Sequence, residues 1–280
     1  MTMPAQKIDS HHHLWKYTKE DYGWIGPGME AIGRDFLPPD LKKVLDAGGI
    51  DGAVAVQASQ TLHETEWLLQ LAEANNFMRG VVGWVPFIDA DVEKHIAKYA
   101  KHKKLKGFRH VLQDEADDFY ISRVDFNNGI SKLKKYNLIY DILIFERHLL
   151  QSIKFVDQHP NQVFVLDHVA KPRIKVHMME PWKANMADLA KRQNVYCKIS
   201  GMATEADMKN WKDADLRPYI DHVLNVFGPK RCMFGSDWPV ALLATDYKRW
   251  VDLVKGVISS LSQSEQDRIM GGTAIEAYKL

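Results

Sequence analysis

Cysteine is almost missing from this chain. Only Cys197 and Cys232 occur among 280 residues, both inside apolar runs and neither in a CxxC pair. Two such thiols suit a reducing compartment. Excess charge is missing too: 37 Lys and Arg against 36 Asp and Glu leave a formal net charge of +1. A nucleic-acid binder shows a basic face, whereas the densest basic stretch here, Lys98 to Lys106, reads as a solvated helix face. No apolar stretch approaches the ~18 residues of a membrane span. Met1 to Lys7 lacks the apolar core of a signal peptide. The expectation is a cytoplasmic protein with a small-molecule substrate, no nucleic-acid or membrane partner, and a homodimer as a further option.

What is present is apolar material in short, regular portions. The hydrophobic share is 46% and the charged share 26%, enough for a full core without staples. Eight short runs rich in Val, Ile and Phe stand out: Lys7–Leu14, Gly52–Gln57, Arg79–Val85, Leu105–Val111, Leu138–Ile144, Val163–His168, Val195–Ile199 and Arg231–Phe234. Several are apolar nearly throughout, as strands buried on both faces are. Amphipathic stretches separate them, at Glu64–Asn75, Asp91–His102, Arg147–His159, Pro181–Arg192, Arg217–Phe227 and Tyr247–Ser259. Such alternation predicts βαβ units and a parallel sheet. Eight units in 280 residues predict an α/β fold, a (β/α)8 TIM barrel forming one domain over residues 1–280. An open doubly wound sheet is the alternative; it would favour a GxGxxG after a strand, and none occurs. The longest irregular stretch, Trp15–Pro39, carries Trp15, Tyr17, Tyr22 and Trp24 and is placed to cover a barrel mouth.

Ionisable residues recur where these runs end. In Asp9-Ser10-His11-His12-His13, strand alternation puts His11 and His13 on one face and His12 on the other, so the pair can ligate one metal ion. Asp167-His168 closes the sixth run, either as catalytic groups or with one of the two capping the next segment. Asp237, after Phe234-Gly235-Ser236, can bind metal and take a proton from water, or it caps the next helix. Arg109 and His110 end the fourth run as donors suited to polarising a carbonyl or anchoring a carboxylate. Lys198, amid apolar residues of the seventh, either snorkels to water or enters the pocket. Gln57 ends the second run at the same level. Trp15, Trp24, Trp84 and Trp238 are candidates to meet a substrate, with core packing as the plain alternative, above all for Trp84. Polar residues at so many strand ends point to a site at the C-terminal mouth.

Taken in order, IDSHHHLW, RDFLPPDL, KGFRHVLQ, LDHVAKP, CKISGM and FGSDWPV resemble amidohydrolase family 2, TIM-barrel hydrolases of the amidohydrolase superfamily. The similarity runs from about residue 7 to the C-terminal end and is greatest to the sugar-lactone hydrolases, of the L-fuconolactonase and L-rhamnonolactonase types. It implies a distorted barrel and hydrolysis of a cyclic ester. It also implies one divalent metal ion, Zn by ligand type, at His11, His13, His168 and Asp237. His168 is either a ligand or a partner of one. Asp237, His168, Arg109 and His110 carry the catalysis on this reading, and Gln57, Lys198 and the four tryptophans the substrate. No lysine able to bridge two metals stands at strand 4, and strand 5 ends without a histidine, so a binuclear site is not expected. Some similar lactonases work without metal. A metal-dependent decarboxylase or amide hydrolase on the same barrel, and a non-catalytic binding barrel, are the alternatives.

Overall fold

A computed structural model describes residues 5–280. Eight parallel strands lie in sequence order in one sheet: β1 (Ile8–His12), β2 (Gly52–Val56), β3 (Met78–Gly83), β4 (Leu105–Val111), β5 (Ile139–Leu143), β6 (Phe164–Leu166), β7 (Val195–Ile199) and β8 (Cys232–Phe234). Each overlaps its expected run. The unbroken order β1 to β8, with no point where the strand order reverses, is that of a barrel and not of a doubly wound sheet. Helices α1 (Pro38–Gly48), α2 (Leu62–Ala74), α3 (Val92–Tyr99), α4 (Val124–Ile130), α5 (Leu149–Gln158), α6 (Trp182–Leu189), α7 (Asp213–Phe227) and α8 (Tyr247–Ile258) follow the strands. The main core lies between these helices and the outward faces of the strands.

The barrel interior is stacked in layers. Ile8, Val54, Val82, Ile139, Val165 and Met233 form an apolar floor. It is closed from below by elements the sequence did not announce: after α9 (Gln263–Asp267), a π-helical turn at Arg268–Gly272 and α10 (Thr273–Tyr278) pack under the barrel. Tyr278 of α10 is almost fully buried in that floor. Gly271 permits the approach, because a Cβ there would stand 1.9 Å from the Gln6 carbonyl oxygen. Charged side chains lie above the floor, and the mouth lies above them.

Where the last strand meets the first, side chains replace much of the ladder. Asp237 N donates to His11 O (2.8 Å) and His13 N to Trp238 O (2.7 Å). Asp9 Oδ1 accepts from His11 N and Ser236 N, and its Oδ2 from Tyr247 Oη in α8. Ser10 Oγ donates to Phe234 O, and Ser236 Oγ to His11 O. The β1–β2 register shifts between Asp9 and His12. Asp9 therefore faces α8 while His11 and His13 face inward.

The Trp15–Pro39 loop is pinned at its ends by paired bonds between Trp15 and Phe36 and packs around its own buried Trp15, Tyr22, Ile25, Ile32 and Phe36. It covers one side of the mouth. A test of the seam is Asp9→Ala, which strands two buried backbone donors. The expected loss is about 3 kcal/mol of unfolding free energy, read by urea denaturation. Asp9→Asn retains an acceptor and should lose less than half of that.

Candidate active site

Four side chains converge where β1, β6 and β8 end. His11 Nε2 and His13 Nε2 are 3.2 Å apart. Asp237 Oδ1 stands 3.7 Å from His11 Nε2, 3.4 Å from His13 Nε2 and 3.8 Å from His168 Nε2. All four residues are buried. His13 Nδ1 must donate to the Val56 carbonyl, 2.8 Å away, which leaves its Nε2 lone pair free. Burial lowers the pKa of His11 and brings that of His168 down to about 4, so both imidazoles are neutral. Burial pushes the Asp237 carboxyl up, but the three imidazoles around it outweigh that and hold it below the usual carboxylate range.

At 3.2 Å the two Nε2 atoms are close enough for an N–H···N hydrogen bond when His11 carries its proton on Nε2. They also fit as an edge of a coordination polyhedron: ligand bonds of about 2.0–2.1 Å in a tetrahedron put donor atoms about 3.3 Å apart. His11, His13 and Asp237 therefore offer three mutually close donor atoms that fit one divalent ion of the zinc type, with His168 Nε2 3.8 Å from Asp237. Asp237 caps nothing with its side chain; it is its carbonyl that accepts from Ala241 N.

Two of these residues are held in left-handed backbone. Asp237 has φ 58°, and His168, Val169, Ala170 and Lys171 have φ between 46° and 60° in succession. A left-handed turn of non-glycine residues costs roughly 1–2 kcal/mol per residue, so the surroundings must enforce it. Trp182 Nε1 donates to Val169 O at 2.7 Å. His168 Nδ1 pairs with Ser200 Oγ at 2.9 Å. Gly201, at φ 60°, leaves room that a Cβ would fill 2.4 Å from His168 Nδ1. The turn aims His168 and Lys171 into the same cavity. Neither Asp167 nor His168 caps a helix.

That cavity, of about 530 Å³, opens over the strand ends and is lined by His13, Arg109, His168 and Asp237 from the barrel and by Trp24 and Asp21 from the first loop. Of the residues expected to meet a substrate, Trp24 and Arg109 do line it. Trp15 and Trp238 are buried in the core against Phe36 and have no face left for a sugar. Trp84 is turned toward His110, to which its ring N–H donates at 3.2 Å. His110 has its other nitrogen 2.6 Å from Glu115, so neither nitrogen is left to polarise a carbonyl. Gln57 is buried behind Arg109, accepting from Nε through Oε1 and from Nη2 through its carbonyl.

Lys198 neither snorkels nor enters the cavity. It is fully buried beneath the mouth, with Nζ 2.6 Å from Asp141 Oδ2, 3.0 Å from Asp167 Oδ1 and 3.2 Å from His11 Nδ1. Arg109 Nη1 reaches the other Asp167 oxygen at 2.9 Å, and Tyr278 Oη donates to Asp141 at 2.8 Å. Two cations and two carboxylates thus balance in one dry layer under the ligand set. Burial pushes Asp141 up to about 6 despite Lys198. Burial acts on Asp167 in the same sense, but Lys198, His11 and Arg109 outweigh it and hold that carboxyl well below its usual range. Asp141 was missed in the sequence, although an acid inside the apolar run of β5 was a signal.

A (β/α)8 barrel that gathers His11, His13 and His168 around the Asp237 carboxylate at the end of β8 has the form of a metal-assisted hydrolase. The amidohydrolase family profile matches residues 8–280, and the chain belongs to that family. It is 39% identical to the L-fucono-1,5-lactonase of Burkholderia multivorans, over 99% of this chain and 97% of that protein. It is 36% identical to the L-fucono-1,5-lactonase of Burkholderia ambifaria, over 98% and 96%. A crystal structure of a Burkholderia multivorans amidohydrolase with bound zinc superposes with a TM-score of 0.95 at 39% identity, covering 99% of this chain and 100% of that one.

The charged layer gives a direct test. Lys198→Met leaves Asp141 and Asp167 short of a buried cation and is expected to cost about 3–5 kcal/mol, read as a lowered urea midpoint. Adding Asp141→Asn should recover part of that loss, a coupling that independent sites would not show.

Proposed function

We propose that this protein hydrolyses a sugar aldonolactone, opening the cyclic ester by attack of water at the mouth of the barrel. The observation that carries the reading is the meeting of Asp237 with three buried imidazoles in a sugar-sized cavity, in a chain similar along its whole length to L-fucono-1,5-lactonases. His11, His13, His168 and Asp237 would hold one divalent ion of the zinc type. When bound, such an ion supplies a Lewis acid for the ester carbonyl.

The chain's own groups do the rest. Asp237, ionised at neutral pH, takes a proton from the attacking water as its oxygen bonds to the carbonyl carbon. When the ring C–O bond breaks, Asp237 returns that proton to the leaving ring oxygen. The product is a hydroxy acid, whose carboxyl then releases its proton to solvent at neutral pH. Arg109 has five N–H donors, of which Gln57, Asp167 and His11 engage four. Its remaining Nη2 donor is offered to charge that develops on the carbonyl oxygen. Trp24, 40% exposed over the cavity, offers an apolar surface to one face of the ring.

A pH-indicator assay over a series of aldonolactones, with and without chelator, tests the reading; silence on all of them overturns it. Protein purified without chelator should carry about one divalent ion per chain by elemental analysis. Two ions would mean that Asp167 joins a second site, and full activity with none would remove the metal from the reaction. Asp237→Asn keeps the shape but removes the proton acceptor. Its kcat on the best lactone is expected to fall at least ~10²-fold with an unaltered thermal melt. Turnover near that of the wild type would take Asp237 out of the mechanism.

A further inference from the structure

One wall of the cavity is the loop after β4, where Gln113, Asp114 and Glu115 line it. Glu115 is held in place by a chain of neighbours. Trp84 Nε1 lies 3.2 Å from His110 Nδ1, and His110 Nε2 lies 2.6 Å from Glu115 Oε1. An indole N–H only donates. His110 Nδ1 is therefore the acceptor, Nε2 carries the proton, and that proton is given to Glu115. The ring of Tyr120 lies parallel to the imidazole, 5.0 Å away at 8°, and Phe126 meets it edge-on. Rotation of His110 would break both contacts. The start of the chain is fixed as well, since Thr65 Oγ1 is bonded to both the backbone N (2.8 Å) and the backbone O (2.9 Å) of Trp84.

The outcome is a carboxylate with one oxygen engaged and the other, among the described residues, without a protein donor. We propose that Glu115 accepts a hydrogen bond from a ring hydroxyl of the bound sugar, and that His110 and Trp84 are positioning residues that set its carboxylate. The proposal rests on the lactonase reading for the class of ligand. Its chemistry is simple. A lactone ring without hydroxyls presents only acceptors to Glu115 and gains nothing from it. A hydroxyl gains a charge-assisted bond, about twice as strong as a neutral one. The carboxylate therefore selects hydroxylated rings over bare ones.

The test separates hydroxyl recognition from ester cleavage by using a ring with no carbonyl, 1,5-anhydro-L-fucitol, with binding measured by calorimetry on the intact protein. Glu115→Gln keeps the bulk, but His110 Nε2–H holds the amide oxygen and turns the NH2 group toward the cavity. The dissociation constant is expected to rise about tenfold. Trp84→Phe should raise it by a smaller factor, about threefold, because only the support is lost. On L-fucono-1,5-lactone both variants should change KM more than kcat; a merely structural role would lower kcat and the melting temperature together. No measurable binding of the anhydro sugar by the wild type, or equal binding by Glu115→Gln, overturns the proposal even if lactone turnover is normal. Failure of the wild type to open any lactone, with anhydro-sugar binding still weakened by Glu115→Gln, overturns the lactonase reading and leaves the hydroxyl site standing.

Discussion

Closing eight strands requires the first and last to meet, and in this protein the seam between them is also the site. The bonds that join His11 O to Asp237 N and His13 N to Trp238 O fix the backbone that carries two imidazoles and a carboxylate. Asp9, Ser10 and Ser236 do the same work from the outside, giving side-chain partners to backbone groups that a regular ladder would have paired. Geometry at the mouth is thus a by-product of closure. Loosening one would loosen the other.

Beneath the seam, the charged layer explains why the imidazoles keep their orientation. His11 is held from below by Lys198, which Asp141 and Asp167 hold in turn. Buried ion pairs contribute little net stability when compared with well-packed apolar groups. Their value here is directional, because a lysine shared between two carboxylates can occupy one position only. Arg109 gains the same fixity from Gln57 and Asp167.

Much of this was legible in the sequence. The strands were, because a parallel barrel buries both faces of each and writes them as apolar runs. His11 and His13 were, because alternation is a local rule, and Asp237 was, because it follows the last apolar run. Three features were not. The charged layer joins β4 to β7 across long stretches of chain, and nothing near Lys198 tells whether it reaches water or carboxylate. The tryptophans Trp15 and Trp238 could not be sorted from Trp24 without knowing which way the first loop folds over its own core. The left-handed turn at His168–Lys171 contains no glycine, so no residue type announced it. It is imposed from Trp182, Ser200 and the space above Gly201.

The seam also sets an order of events in the cell. A ribosome makes His11 and His13 early and Asp237 late, followed by the helix that plugs the barrel floor with Tyr278. Contacts this distant along the chain are slow to form. For most of synthesis the emerging polypeptide therefore carries two histidines without their carboxylate, and no half-built barrel can assemble the complete donor set. Chemistry is withheld until the fold is nearly finished, by topology alone.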